Sequence, residues 1–398
     1  MKNNRTFLEK LLDGAEVKWK PLKDILIRTK GTKITAAEMK VLHKDNAPLK
    51  IFAGGKTFAL VNIEDIPEKD INKNPSIIVK SRGIIEFEYY DKPFSHKNEM
   101  WSYYSNDKNI NIKYIYYVLK NQEPYFQNLG SKMQMPQIAT PDTDKYLVPI
   151  PPLPVQTEIV RILDALTALT SELTSELTLR RKQYEYYREK LLSFDSLERL
   201  NMGGAKKKLI DVVNIYLGLT YTPTYVENGV KFISAQNTSN DFLDLSNTKF
   251  ISREEFEKST SNAKPKRGDI LFTRVGSNLG HPVIVDTDED LCIFVSLGFL
   301  RVKDKNILNS YVKHWMNTNL FWKQVEKNVH GSAKVNLNTG WLKNFEIYIP
   351  TLKEQQRIVS ILDKFETLTN SITEGLPLAI EQSQKRYEYY RELLLNFS

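Results

Sequence analysis

The chain of 398 residues is short of several residue types and motifs that mark common protein classes. Its single cysteine, Cys292, excludes an internal disulfide and any metal site built on paired cysteines. Cys292 lies in the apolar stretch LCIFV, which predicts a buried strand thiol in a protein of the reducing cytoplasm. The five histidines show no metal-ligand spacing. No apolar run approaches the roughly 18 residues that span a bilayer, and the N-terminal segment lacks the apolar core of a secretory signal.

Motifs of the common catalytic sites are also missing. The sequence has no Asp/Asn-Pro-Pro-Tyr/Phe motif of an amino-methyltransferase, no HExxH and no GxSxG. GGKT at 54–57 fails as a phosphate loop, because the pattern needs glycine where Lys50 stands. PDTDK at 141–145 is similar to a nuclease carboxylate cluster, but its Pro/Thr-rich setting predicts a surface loop. We therefore expect a chain without catalytic activity, with an enzyme of unfamiliar site as an alternative.

The net charge of +8 and the pI near 9.1 indicate a polyanionic partner, which is most often nucleic acid. Charge alone does not decide this, because many basic proteins bind no nucleic acid.

The chain contains an internal repeat. IPPLPVQTEIVRILD at 150–164 recurs as IPTLKEQQRIVSILD at 349–363, and YEYYREKLLSF at 184–194 recurs as YEYYRELLLNF at 387–397. Apolar residues at i, i+3 and i+4 predict a long helix in each copy. About 40 helical residues extend roughly 60 Å. Because neither helix can bury its apolar stripe alone, we expect an antiparallel coiled-coil-like pair. The GLP stretch at 375–377 should kink or break the second helix.

The segments outside these helices also repeat, more faintly. KPLKDIL at 20–26 is similar to KKLIDVV at 207–213, and PSIIVKSRG at 75–83 is similar to GDILFTRVG at 268–276. Short Val/Ile/Phe/Tyr runs mixed with a few helical patterns predict an α+β fold. We expect module 1 at residues 1–150, a central helix at 151–200, module 2 at 201–349 and a C-terminal helix at 350–398.

The Ile-Pro-x-Leu-x-x-Gln lead into a long helix and the YEYYRE segments closely resemble the specificity subunit of type I restriction–modification systems. The resemblance covers essentially the whole chain and implies that each module is a target recognition domain for one half of a split, asymmetric site in double-stranded DNA. It also implies two methyltransferase subunits as partners and, where present, restriction/translocase subunits. S-adenosylmethionine, ATP and Mg²⁺ would then belong to those partners, with no cofactor in this chain. The rival hypothesis is a non-catalytic coiled-coil scaffold that joins two protein-binding modules.

The tandem repeat LTSELTSELT at 169–178 lies inside the first predicted helix. The resemblance implies that such repeats set the distance between the two half-sites. Four residues lengthen a helix by about 6 Å and rotate it by only about 40° beyond one turn, so the apolar stripe keeps its direction. The alternative is that LTSE is low-complexity helical sequence without this role.

Arginine suits guanine, and asparagine or glutamine suits adenine, so polar residues near the repeated strand-to-glycine element and before the Ile-Pro junctions are the DNA-binding candidates. They are Lys80, Ser81, Arg82, Lys132, Gln134, Gln137, Gln236, Asn237, Arg274, Ser277, Asn278, Lys334, Asn336 and Asn338. The alternative for each is a solvated loop residue without a DNA contact. The candidates for partner binding are Tyr184, Tyr187, Arg188, Tyr387, Tyr390 and Arg391, whose tyrosines could instead only pack the helix pair.

Overall fold

The computed structural model describes residues 7–131, 135–199, 203–260, 263–276, 278–328 and 336–397. The chain divides into two compact units, one formed by residues 1–172 with 381–398 and the other by residues 173–380. The first unit therefore contains both the beginning and the end of the chain.

Module 1 mixes short strands and helices, as predicted. Its helices are α1 (Phe7–Leu12), α2 (Leu22–Ile25), α3 (Ala36–Leu42), α4 (Ile112–Asn121), α5 (Glu123–Gly130) and α6 (Thr140–Asp144), with 3₁₀ turns at Ile63–Asp65 and Glu68–Asp70. Its strands are β1 (Lys18–Pro21), β2 (Ile27–Thr29), β3 (Leu49–Phe52), β4 (Phe58–Val61), β5 (Ser76–Lys80), β6 (Glu86–Tyr90), β7 (Phe94–His96), β8 (Trp101–Tyr104) and β9 (Leu147–Ile150).

The strands of module 1 form two sheets and one separate pair. The four-stranded antiparallel sheet has the order β2-β8-β5-β6, and the three-stranded sheet has the order β4-β3-β7 with β3 and β7 parallel. β5 reads SIIVK and is buried along its whole length, as expected for an apolar strand between two neighbours. The β1–β9 pair brings residues 18–21 beside 147–150, where the central helix begins.

The central helix is continuous. α7 (Leu153–Leu191) has 39 residues and is followed by α8 (Phe194–Arg199). Ile159, Leu163 and Tyr184 on its apolar stripe are buried. None of residues 164–183 is buried, and this exposed middle contains the whole LTSELTSELT repeat. The side chains of the predicted apolar stripe are therefore buried only near the two ends of the helix.

Module 2 repeats the plan of module 1. Its strands are β10 (Ala205–Lys208), β11 (Val213–Leu217), β12 (Tyr225–Val226), β13 (Val230–Ile233), β14 (Lys249–Ile251), β15 (Ile270–Thr273), β16 (Pro282–Ile284), β17 (Leu291–Ile293), β18 (Leu297–Val302) and β19 (Glu346–Ile349). Its helices are α9 (Leu209–Val212), α10 (Arg253–Ser259), α11 (Asn309–Met316), α12 (Asn319–Glu326) and α13 (Thr339–Leu342), with a 3₁₀ turn at Ala235–Thr238.

The sheet topology confirms that the two modules share one fold. The four-stranded sheet of module 2 has the order β11-β18-β15-β16, which matches β2-β8-β5-β6. In its second sheet, β13 pairs antiparallel with β14 and parallel with β17, as β3 does with β4 and β7. The β10–β19 pair likewise matches β1–β9. The faint repeats in the sequence therefore mark equivalent strands.

The C-terminal helical segment is broken, as the GLP stretch predicts. It consists of α14 (Leu352–Asn370) and α15 (Leu376–Leu395), so the single helix expected over 350–398 is two helices. Gly375 between them has φ +97°, and a Cβ there would lie 2.5 Å from the carbonyl oxygen of Thr367. This conformation and this space permit glycine and strain any other residue.

The repeated glutamine of the helix lead fixes each long helix to its module. Gln156 accepts a hydrogen bond from the backbone N–H of Asn111 and donates to the carbonyl oxygens of Asn109 and Pro151, at 2.8–3.0 Å. Gln355 makes the same three bonds with Leu308, Asn306 and Pro350. Because both amides are buried and fully bonded, this glutamine explains why the motif recurs.

Within each unit the helices of the two repeats pack antiparallel. In the first unit, the hydroxyl groups of Thr170 and Ser383 lie 2.8 Å apart, and Leu394 belongs to the same core cluster as Leu163. In the second unit, the ring of Tyr187 stacks on Phe365, and Arg181 donates to the carbonyl oxygen of Thr369. Each core thus combines the start of its own following helix with the end of the other repeat.

Candidate nucleic-acid interface

Equivalent chain segments meet at the end of the central strand in both modules. In module 1, the carbonyl oxygen of Ser81 accepts a hydrogen bond of 3.0 Å from the N–H of Ile138. In module 2, the carbonyl oxygen of Arg274 accepts the same bond from Leu337, also at 3.0 Å. Short β-bridges pair Arg82 with Gln137 and Val275 with Asn336. The structure therefore brings together the two groups of candidates that the sequence placed on separate loops.

A glycine with positive φ turns the chain at this point in each module. Gly83 has φ +74° and Gly276 has φ +122°, and no atom of the described residues lies within 4 Å of a Cβ built on either. The constraint is therefore conformational rather than steric, because other residues rarely adopt these angles. The repeated glycine of PSIIVKSRG and GDILFTRVG follows from this turn.

Lys80 is engaged within module 1. Its ammonium group is buried and lies 2.7 Å from Glu86 and 2.8 Å from Glu88. Burial opposes the charge, but the hydrogen bonds to Glu86 and Glu88 outweigh it and raise the pKa of Lys80. A phosphate could bind Lys80 only in competition with these two carboxylates.

Ser81 and Arg82 differ in accessibility. Ser81 is buried, and its hydroxyl donates to the carbonyl oxygen of Glu99 at 2.7 Å. Arg82 is exposed. Burial alone would raise the pKa of Glu99, but the pKa is lowered. The carboxylate is favoured by hydrogen bonds from Lys97 and from its own backbone, and by the positive charges of Lys97 and Arg82. With Gln137 half-buried, Arg82 is the most accessible of the described candidates in module 1.

Arg274 occupies the position of Ser81 in module 2 and is only 8% exposed. Its backbone N–H donates to the carbonyl oxygen of Ser296 at 2.8 Å, and its Nη1 donates to that of Val295 at 3.1 Å. Burial lowers the pKa of this guanidinium. The side chain is thus held in one place by the loop that precedes β18.

A second loop lies beside Arg274 in module 2. The amide of Asn278 donates to the carbonyl oxygen of Ser239 at 3.1 Å, and Nε2 of His281 lies 3.0 Å from that of Asn240. Gln236 on the same loop is exposed. Asn237 is committed locally, because its amide bonds the backbone of Ser234 and Asp244. Gln236 on this loop and Asn278, which bonds to it, are therefore the accessible candidates in this part of module 2.

The remaining candidates lie at the entry to α13 or outside the described residues. Asn336 is exposed, whereas Asn338 caps α13 by accepting a hydrogen bond of 2.7 Å from the N–H of Gly340. Lys132, Gln134, Ser277 and Lys334 lie outside the described residues.

An open groove of about 1260 Å³ lies in module 1, and no sequence pattern predicted it. It is bounded by the ends of β2 and β8, by α3 and by the 3₁₀ turns at 63–70. Its charged lining consists of Arg28, Lys30, Lys33, Lys69, Glu38, Asp65 and Asp70. Because these charges nearly balance and come from separate segments, neither composition nor a motif could have revealed the groove.

The structure separates buried from exposed tyrosines in the two YEYYRE segments. Tyr184 is 7% exposed, and burial raises the pKa of the half-buried Tyr387. Arg188 lies over the ring of Tyr184 at 5.2 Å, as Arg391 lies over that of Tyr387 at 5.8 Å. Among the partner-binding candidates, Tyr187 is exposed, while Tyr390 is half-buried.

The sequence analysis missed Tyr186 and Tyr389, which are 58% and 62% exposed. They occupy the same position in the two copies, and each packs edge-on against the next tyrosine. Helical periodicity could have identified them, since they lie two residues beyond the inward-facing Tyr184 and Tyr387.

His314, Asp363 and Glu366 have potential metal-ligand atoms within 4.8 Å of one another. Nε2 of His314 lies 2.7 Å from Asp363, and Lys313 donates to Glu366 at 2.6 Å. In module 1, the hydroxyl of Tyr117 bonds Asp164 at 2.6 Å in the equivalent place. Because a tyrosine replaces the histidine there, we interpret both contacts as links between helix and module.

Residues 141–144 of PDTDK lie in α6, so this stretch is not the surface loop expected from its composition. Asp142 accepts a hydrogen bond from the N–H of Ala139, and Asp144 accepts one from the hydroxyl of Tyr103 and pairs with Arg28. The carboxylates therefore hold the helix against the sheet. None of the helices in the described part of the chain is both long and apolar enough to cross a bilayer.

Comparisons with known proteins agree on one family. The family described as type I restriction modification DNA specificity domain matches residues 15–180 and 203–382. A putative type I restriction enzyme specificity subunit of Haemophilus influenzae is 38% identical over 414 residues, covering 100% of both chains. The specificity subunit of EcoR124I/EcoR124II from Escherichia coli is 34% identical, covering 98% of this chain and 97% of that one. The crystal structure of a type I restriction–modification S subunit from M. genitalium shares the fold, with a TM-score of 0.61 at 15% identity over 97% of this chain and 98% of that one.

Proposed function

Because the chain belongs to the family of type I restriction–modification DNA specificity subunits, we propose that it recognises a bipartite, asymmetric site in double-stranded DNA, with one half-site for each module. The chain is a non-catalytic DNA-recognition subunit. The proposal concerns how the recognition is divided between its two modules.

The observation that carries the proposal is the contrast between a shared backbone and different side chains. The same turn, with the same backbone hydrogen bond, presents Lys80, Ser81 and Arg82 in one module and residues 273–275, Thr-Arg-Val, in the other. Side chains at base edges carry sequence information, whereas backbone contacts only position the protein. Two modules with one fold and different side chains should therefore bind two different half-sites.

Exchange of one module tests this proposal. Residues 1–148 are replaced by the corresponding module of another member of the family, and methylated adenines are mapped in a host that carries the chimaera with its methyltransferase subunits. One half of the methylated sequence should change, while the other half and the spacer stay the same. A chimaera in which both halves change would contradict the modular division.

We also propose that the helical segments bind two copies of one partner, the methyltransferase subunit. Tyr186 and Tyr389 support this proposal, because both are exposed and occupy the same position in the two YEYYRE segments. The two segments therefore present the same mixture of aromatic and charged side chains. Exposed aromatic residues are enriched at protein interfaces. A repeated surface suits two identical partners.

The cofactors of the reaction belong, in this proposal, to the partner subunits. S-adenosylmethionine would be bound by the methyltransferase subunits, and ATP with Mg²⁺ by a restriction/translocase subunit where one is present. The complex would act in the cytoplasm on the host chromosome and on incoming DNA.

A further inference from the structure

Arg274 is only 8% exposed as a residue, and no acidic side chain in the described part of the chain influences its guanidinium. Its Nε is buried and makes no hydrogen bond to any residue that the structure describes, although Nη1 donates to the carbonyl oxygen of Val295. Burial is the only influence that shifts its pKa, and the shift is downward, away from the charged form. A buried charge without a partner opposes folding, so this position needs an explanation other than stability.

Arg301 in the same module shows what a structural arginine looks like. Its Nε and Nη2 donate to the two carboxylate oxygens of Asp269 at 2.9 and 2.6 Å, and Nη2 also donates to the carbonyl oxygen of Lys264. Hydrogen bonds to Asp269 raise the pKa of Arg301 although burial opposes this. In module 2, the charge of Arg301 is therefore paired with a carboxylate, whereas Nε of Arg274 has no partner among the described residues.

The equivalent position in module 1 indicates which kind of DNA group Arg274 would meet. That position is Ser81, whose hydroxyl is satisfied by the carbonyl oxygen of Glu99. Phosphates are chemically the same in both half-sites, so a phosphate contact would be expected to recur in both modules. A position that carries arginine in one module and serine in the other suits a contact with a base.

We propose that Arg274 selects a guanine in the half-site of module 2 by donating hydrogen bonds to its O6 and N7 atoms. This inference rests on the proposed function and identifies the base and the residue. Arginine to the O6/N7 edge of guanine is the commonest specific contact in the major groove. Gln236 and Asn278 in the same module are exposed and are residue types that suit adenine rather than guanine.

The test uses Arg274→Gln in the full-length chain, co-expressed with its methyltransferase subunits. Methylated adenines are mapped genome-wide, and thermal unfolding of the chain is measured. One guanine of the module 2 half-site should become degenerate, with discrimination reduced about 5- to 150-fold, the range of one good bidentate contact. The module 1 half-site should stay intact. The unfolding temperature should stay the same or rise, because the uncompensated charge is gone.

Arg301→Gln is the matched control, because it removes a half-buried arginine of the same module that already has its partners. It should lower the unfolding temperature and leave both half-sites unchanged. Arg274→Lys keeps the charge but not the paired donors, and it should also lose the guanine. This second variant keeps the test valid if Arg274→Gln does not fold.

Three results would overturn the inference. The first is an unchanged module 2 half-site. The second is a uniform weakening of DNA binding across all sequences, which is typical of a phosphate contact. The third is a loss of stability without a loss of specificity. A methylated sequence that is not bipartite in the unmodified protein would instead contradict the proposed function, and it would overturn this inference with it, because no separate half-site of module 2 would then exist.

Discussion

Deletion of one LTSE unit should shorten the spacer between the two half-sites and leave the recognised bases unchanged. The unit at 173–176 lies in the stretch 164–183 of α7, where no side chain is buried. Its removal shortens the helix by about 6 Å and offsets the remaining turns by about 40°. One base-pair step is roughly 3.4 Å along the duplex, so the expected change is one or two base pairs.

The repeat restores its own contacts after the deletion, so the cost in stability should be small. Leu177 takes the place of Leu173, and Glu172 comes to stand four residues before Arg180. In the unmodified chain, Arg180 pairs with Glu176 at 2.8 Å, an exposed i,i+4 contact worth about 0.3–0.5 kcal/mol. The same pair therefore forms again with Glu172, and the fold of each module should be preserved.

The assay is methylated-adenine mapping in a host with a single specificity chain. Replacement of 173–176 by four alanines is the control, because it removes the same side chains and keeps the helix length. The control should keep the original spacer, whereas the deletion should shorten it. A deletion that leaves the spacer unchanged, or that alters the half-site bases, would refute the interpretation of the repeat as a length determinant.

Two further predictions concern the partner surface and the effect of pH. The double variant Tyr186→Gln, Tyr389→Gln should fold normally but retain at least tenfold less methyltransferase subunit on co-purification. The control is Tyr125→Gln, which changes an exposed tyrosine of module 1 and should retain the subunit fully. Equal retention by both variants would contradict the proposed surface. His96 is buried between Thr29 and the carbonyl oxygen of Lys97, and burial lowers its pKa despite opposing contributions from that carbonyl and nearby acids. Because protonation then favours the unfolded chain, stability should be complete above about pH 6.5, the pKa of an unperturbed histidine, and decline as the pH falls towards the lower folded pKa. Thermal unfolding between pH 7.5 and 5 should show a smaller decline in His96→Gln than in the unmodified protein, and an equal decline would contradict this account.

The architecture could be predicted from the sequence because it depends on residues that recur. The Ile-Pro-x-Leu-x-x-Gln leads and the YEYYRE segments located the helices, and GLP at 375–377 located the break. The exposed middle of α7 was not predicted. A Leu-x-x-x spacing looks the same whether its leucines enter a core or lie half-exposed, and only the surroundings distinguish the two.

The candidate site was predictable in position but not in detail. The glycine that follows each central strand correctly indicated a turn, since Gly83 and Gly276 both have positive φ. The sequence could not show that Lys80 is neutralised by two glutamates on the neighbouring strand, or that Arg274 has no such partner among the described residues. Those differences depend on which strands pair, and that information is spread along the chain.

The uneven strength of the internal repeat has a physical explanation. Gln156 and Gln355 bind backbone groups, and backbone groups are the same whatever the surrounding sequence, so the same side chain serves both modules. Ser81 and Arg274 also occupy equivalent backbone positions, but their side chains differ in bonding. The hydroxyl of Ser81 is hydrogen-bonded within the protein, whereas Nε of Arg274 has no partner among the described residues. Similarity is therefore high where side chains hold the fold and low where they would meet DNA. On this argument, exchanges at the turn positions should alter recognition with little effect on stability, whereas exchanges at the two glutamines should do the reverse.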